Sequence, residues 1–92
     1  MPGYARFVTT RTFRREYEGL SPDKKQAAIR VFREFKKDPF AANLGTHKIA
    51  RLSALYKEPV WSVPVMGDLR VLFVVRGETI VSISIGKHAI YG

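Results

Sequence analysis

From Val60 to Ile85 the sequence repeats with a period of two, and only short turn signals interrupt it. Trp61, Val63 and Val65 alternate with Val60, Ser62 and Pro64, after which Met66-Gly67 turns the chain. Leu69, Val71, Phe73 and Val75 alternate with Arg70, Leu72, Val74 and Arg76; Gly77-Glu78 turns it again; Val81, Ile83 and Ile85 then alternate with Ile80, Ser82 and Ser84. Connections this tight join only antiparallel neighbours, so the pattern predicts a three-stranded antiparallel meander. Strict alternation puts Trp61, Val63, Val65, Leu69, Val71, Phe73, Val75, Val81, Ile83 and Ile85 on a face that must be covered. The other face then holds Ser62, Pro64, Arg70, Leu72, Val74, Ile80, Ser82 and Ser84, is open, and by parity past Gly86 includes His88.

The cover has to come from the first half of the chain, because an isolated apolar sheet face is not stable in water. Tyr4 to Thr9 reads as a short strand. Phe13, Tyr17 and Leu20 then recur at helical spacing in a charged stretch that ends near Gly19. Ser21-Pro22-Asp23 starts a second helix, with a Ser cap, Pro at the first position and an acid facing the positive end of the dipole. Ala28, Phe32 and Phe35, with Val31 beside them, form its buried stripe, and Asp38-Pro39 stops it. Residues 40–56 show no clean period and read as a loop carrying His47 and Lys48 outward. The expected architecture is a single α+β domain over residues 1–92, comprising an N-terminal strand, a helical hairpin and the meander. Both helices pack on one sheet face.

The charge is unevenly placed. Sixteen Lys and Arg against eight Asp and Glu leave a formal +8, and residues 1–50 hold eleven of those cations against five acids. So dense an excess points to a polyanionic partner. Arg11, Arg14, Arg15, Arg30, Arg33, Lys36 and Lys37 on the helices, with Lys48 and Lys87, are the candidate RNA-binding residues. The absence of cysteine excludes disulfides, zinc ribbons, iron–sulfur clusters and thiol nucleophiles, and two histidines are too few for a histidine-built metal site. No apolar stretch has the length of a signal peptide or a membrane span, so a cytoplasmic protein with no membrane partner is expected.

The face shared by Arg70 and His88 suits a phosphate, since Arg offers a planar fork of donors and His moves a proton near neutral pH. RNA cleavage needs little more. The ribose 2′-OH is the nucleophile, and the protein has only to align it, steady the phosphate charge and transfer protons. That chemistry requires neither metal nor cofactor.

The order of elements resembles that of the RelE/ParE toxin superfamily of bacterial toxin–antitoxin systems. So do the strings WSVPVMGDLRVLFVV and ISIGKHAIYG, and LSPDKKQAAIRVF followed by DPF and THKIARL; the resemblance spans nearly the whole chain. It implies a RelE-like fold and the toxin of a type II module, a ribosome-dependent endoribonuclease cutting mRNA without a metal. It also implies a cognate antitoxin, the ribosome with its rRNA, and mRNA as partners. Within it, Arg70 matches the strand arginine that stabilises the phosphate. Lys87 and His88 fall where RelE-type members carry a Lys-Arg pair, and a histidine there resembles the YafQ branch, in which it acts as acid or base. His47 and Asp68 match positions used in that branch, and Tyr91 lies near the C-terminal tyrosine of the RelE type. The further histidine that the YafQ branch carries shortly before the position of Asp68 is missing, and Val63-Pro64-Val65 stands there. Two other readings fit the same residues: a ParE-like gyrase inhibitor, and a basic RNA-binding module without chemistry.

Overall fold

The computed structural model describes residues 4–87, so His88 and Tyr91 lie outside the described residues. Its elements are strand β1 (Arg6–Thr9), helices α1 (Arg11–Glu18) and α2 (Pro22–Phe35), strand β2 (His47–Lys48), helix α3 (Ala50–Tyr56), and strands β3 (Trp61–Met66), β4 (Leu69–Arg76) and β5 (Thr79–Lys87). The strands form one mixed sheet in the order β1-β5-β4-β3-β2. The meander is present as read, and β1 joins it in parallel along β5, pairing Arg6 with Thr79 and Thr9 with Ser82.

Local chemistry sets the helix ends. Thr10 caps α1, its hydroxyl oxygen accepting from the Phe13 N–H at 3.0 Å while the O–H donates to the Ile83 carbonyl at 2.9 Å. Pro22 opens α2, but the Ser21 side chain does not cap it: its hydroxyl donates to the Asp23 carboxylate at 2.6 Å. That bond is the main cause holding the Asp23 carboxyl below its ordinary pKa.

Both helices pack on one face of the sheet, as expected. Phe13, Ala28 and Phe35 meet Val63, Leu69, Val71, Phe73, Ile80 and Ile85 in the main core. Phe35 is its centre, edge-on to Phe73 at 4.9 Å and to Phe7 and Phe32 at 5.7 and 5.8 Å.

The structure corrects further expectations. Residues 40–56 are not a loop: a 3-10 turn (Ala42–Leu44), β2 and α3 occupy most of them. Strict alternation also fails in β5, where Leu72 faces Ser84 but Phe73 faces Ser82, leaving Ile83 as the extra residue of a bulge. The bulge reverses parity upstream of itself. Ile80 and Ser82 therefore lie on the helical-hairpin face, and Val81 and Ile83 lie on the other. That second face is not open either, because Leu52 of α3 packs there with Val60, Leu72 and Val74. A second bulge, between Pro64 and Met66, shifts β3 against β4.

Core and surface should separate cleanly in equilibrium denaturation. Phe35→Ala, at a side chain only 2% exposed, should cost about 3–5 kcal/mol. Leu55→Ala, at 73% exposed, should stay within about 0.5 kcal/mol of the parent.

Candidate anion site

The site is built on the face that α3 partly covers. Strand pairing sets His47, Ser62, Leu72 and Ser84 in one row across four strands. The next row is Pro64, Arg70 and Gly86. Residues directly opposite in a ladder share a face, so Arg70 and His47 lie on the same side of the sheet, two strands apart. The β3–β4 hairpin turns tightly through Gly67, at φ +53°, and Asp68, whose side chain is exposed. It supplies the one hydrogen bond of the Arg70 guanidinium among the described residues, an Nη1 donation to the Gly67 carbonyl at 3.2 Å.

Two buried polar atoms on this face have no hydrogen-bond partner among the described residues: Ser62 Oγ and Arg70 Nε. Ser62 is completely buried, and it sits diagonally across the β3–β4 ladder from Arg70. Orphaned donors and acceptors are costly in a folded protein, but both atoms are shut off from solvent, so an anion would reach the guanidinium at its Nη atoms and not at Nε. The Arg70 fork, anchored at Nη1, is the strongest anion-binding group of this face.

His47 reaches the face through a short device at the end of the 3-10 turn. Gly45 takes a left-handed conformation at φ +73°, and its carbonyl lies 3.1 Å from His47 Nδ1. A side chain at Gly45 would also meet Pro64 Cγ at 3.4 Å. The loop thus leans on the row that contains Arg70.

The remaining candidates are not brought to this face. Lys48 pairs with Trp61 and Lys87 with Leu69, which puts both exposed lysines on the side of the helical hairpin. Arg14, Arg33 and Lys36, with the acid Glu18, lie across the sheet from Arg70 around a groove of about 650 Å3 between α1, α2 and β1. Phe7, Phe13 and Phe32 line it, and Val8 and Ile29, 39% and 48% exposed, stand at its surface. Arg11, Arg15 and Arg30 are exposed on the same helices, and Lys37 pairs with Glu34 at 3.3 Å.

Sequence reasoning missed the tie that holds β5 in place. Past Ser82 the outer edge of β5 is no longer paired with β1, and α1 takes over. Glu16 Oε1 accepts from the Ser84 hydroxyl at 2.7 Å and from the Ile85 N–H at 3.1 Å, and Thr10 satisfies the Ile83 carbonyl. An acid on the inner side of a highly basic helix was the one available signal.

No family model matches the chain, and no curated protein matches it in sequence. Solved structures match its fold. A YoeB/ParE toxin from Agrobacterium tumefaciens superposes with a TM-score of 0.72 at 18% identity, covering 90% of this chain and 98% of that one. The archaeal RelE–RelB complex from Pyrococcus horikoshii gives a TM-score of 0.70 at 12% identity, covering 91% and 94%. YafQ from E. coli gives 0.64 at 11%, covering 94% and 97%. The fold is therefore that of the RelE/ParE toxins, shared over nearly the full length of each chain.

Gly45→Ala tests the His47 device. It should cost about 1–2 kcal/mol in chemical denaturation, because an L residue is strained at that φ. The NMR signals of His47 and Pro64 should shift with it, while those of α1 and α2 should not.

Proposed function

We propose that this RelE-fold chain is the toxin of a toxin–antitoxin module and that it cuts mRNA on the ribosome by metal-independent attack of the ribose 2′-OH. The observation that carries this reading is the Arg70 guanidinium, held at Nη1 and orphaned at Nε, on the same sheet face as His47. Arg70 binds the scissile phosphate and stabilises the charge that develops on its oxygens. His47 or an RNA group takes the 2′-proton, the 2′-oxygen bonds to phosphorus, and the bond to the 5′-oxygen breaks. His88 gives that leaving oxygen its proton. The products are a 2′,3′-cyclic phosphate, or the 3′-phosphate it hydrolyses to, and a 5′-hydroxyl. Asp68, in the β3–β4 turn, and Tyr91 are assigned supporting roles around this centre.

The basic helices serve binding. Arg11, Arg14, Arg15, Arg30, Arg33, Lys36 and Lys37 contact ribosomal RNA phosphates, with Lys48 and Lys87 nearer the sheet end. An acidic antitoxin segment competes for part of the same surface, because the apolar groove between α1, α2 and β1 is rimmed by three cations, Arg14, Arg33 and Lys36, against one acid, Glu18, and borders the outer edge of β1. The protein works in the cytoplasm; no helix among the described residues is long and apolar enough to cross a membrane.

The test is purified protein added to a translating extract, with mRNA ends mapped by primer extension. Cleavage should occur in EDTA, stop when a single 2′-deoxy sugar stands 5′ of the cut, and fall by about two to three decades in Arg70→Ala. His88→Ala should cost about two to four decades. Intact mRNA together with trapped gyrase–DNA complexes would identify a ParE-like inhibitor instead, and intact mRNA with ribosome binding alone would identify a non-catalytic module. Ribosome association should also weaken steeply between low and physiological salt, measured by cosedimentation.

A further inference from the structure

A second concavity opens on the face of Arg70, between α3 and the start of α1. It has a volume of about 350 Å3, with Leu52, Leu72 and Ile83 as its apolar lining and Thr12, Ser84 and Tyr56 adding hydroxyls. No charged residue lines it, although the chain carries a net +8. Tyr56 is half exposed, on the same short helix whose Leu52 is buried. The Ile83 bulge builds this cleft, because the extra residue turns Ile83 and Ser84 towards the same side of the sheet. The Thr10 and Glu16 hydrogen bonds hold that bulge rigid.

We infer that this cleft takes the base of the RNA nucleotide adjoining the phosphate bound at Arg70. The inference rests on the phosphate role given to Arg70 above. Leu72 lies two residues along β4 from Arg70 on the same face, about 7 Å away. That is close to the distance separating a nucleotide's phosphate from its own base. A neutral, flat ligand with polar edges suits an apolar lining set with hydroxyls and one exposed ring, whereas a charged group would be desolvated there without a partner. Base stacking on an aromatic side chain tolerates all four bases; the Thr12 hydroxyl adds an edge contact that discriminates among them, while Ser84 Oγ, whose proton goes to Glu16, can only accept. The cleft is thus a selector of the nucleotide next to the cut.

The experiment is NMR titration of the full 92-residue chain with a 2′-deoxy dinucleotide, which cannot be cut, and with inorganic phosphate as the probe that has no base. The dinucleotide should perturb the amides of Leu52, Tyr56 and Leu72 as well as Arg70, and phosphate only the region of Arg70. Tyr56→Ala should weaken the dinucleotide about five- to a hundredfold, the loss of one stacked base, without a matching loss for phosphate. Tyr56→Phe should restore most of it. Equal dinucleotide affinity in the parent and Tyr56→Ala, or amide shifts confined to the Arg70 row, would overturn the cleft while leaving the phosphate role of Arg70 intact. The converse result, shifts at Tyr56 with adenosine or cytidine alone and none at Arg70 with phosphate, would keep the cleft as a base site and remove the phosphate role.

Discussion

The fold depends on how the outer edge of β5 is satisfied. Every N–H and C=O on that edge needs a partner, and a four-residue β1 covers only the stretch from Thr79 to Ser82. Beyond it the helix that follows β1 closes the edge with side chains: Thr10 on the Ile83 carbonyl, and Glu16 on the Ser84 hydroxyl and the Ile85 N–H. One carboxylate takes the Ile85 N–H that a longer strand would have paired, holds the Ser84 hydroxyl as well, and fixes α1 against the sheet at the same time. With α1 fixed, Phe13 reaches Phe32 at 5.7 Å, and α2 settles with Phe35 on Phe73. The blocked edge also offers no template to another chain.

This arrangement gives the sheet two dissimilar faces. The hairpin side carries the large aromatic core and, outside it, the cations Arg14, Arg33 and Lys36. The other side carries a small aliphatic cluster under α3 and, beside it, Arg70, Ser62 and His47. A macromolecule on the helices and a phosphate at Arg70, as proposed, would therefore occupy opposite sides of one thin layer. Both can be bound together, and an acidic partner can cover one without touching the other.

Much of this was legible in the sequence, and what was not has identifiable causes. The meander and both long helices follow from periodicity and from strong punctuation at Gly19, Pro22 and Pro39. The place of Arg70 on the lesser face was readable too, because β4 is regular from Leu69 to Leu72. The bulge at Ile83 was not, since Val81, Ile83 and Ile85 look like uninterrupted alternation, and only the Thr10 and Glu16 contacts from some seventy residues away select the shifted register. Helix α3 was hidden for another reason. Seven residues with Ile49 and Leu52 as the only inward apolar pair give too little periodic signal, and α3 ends on Lys57 at φ +59° with no glycine to mark the stop. The orphaned Ser62 hydroxyl carries no sequence signal, because serine in a strand is ordinary until its surroundings are known.

The parallel pairing of β1 with β5 has a consequence for how the molecule comes into being. β1 and α1 are made first, yet their partners are Thr79 to Ile85, near the other end of the chain. During synthesis β1 has no sheet partner until β5 has been made, so closure of the sheet waits for the β4–β5 hairpin to leave the ribosome. The same strand ends at Lys87, and His88 follows it in sequence. A nascent chain therefore has no finished Arg70 surface at any intermediate length, and assembly of the fold and completion of the site are one late event.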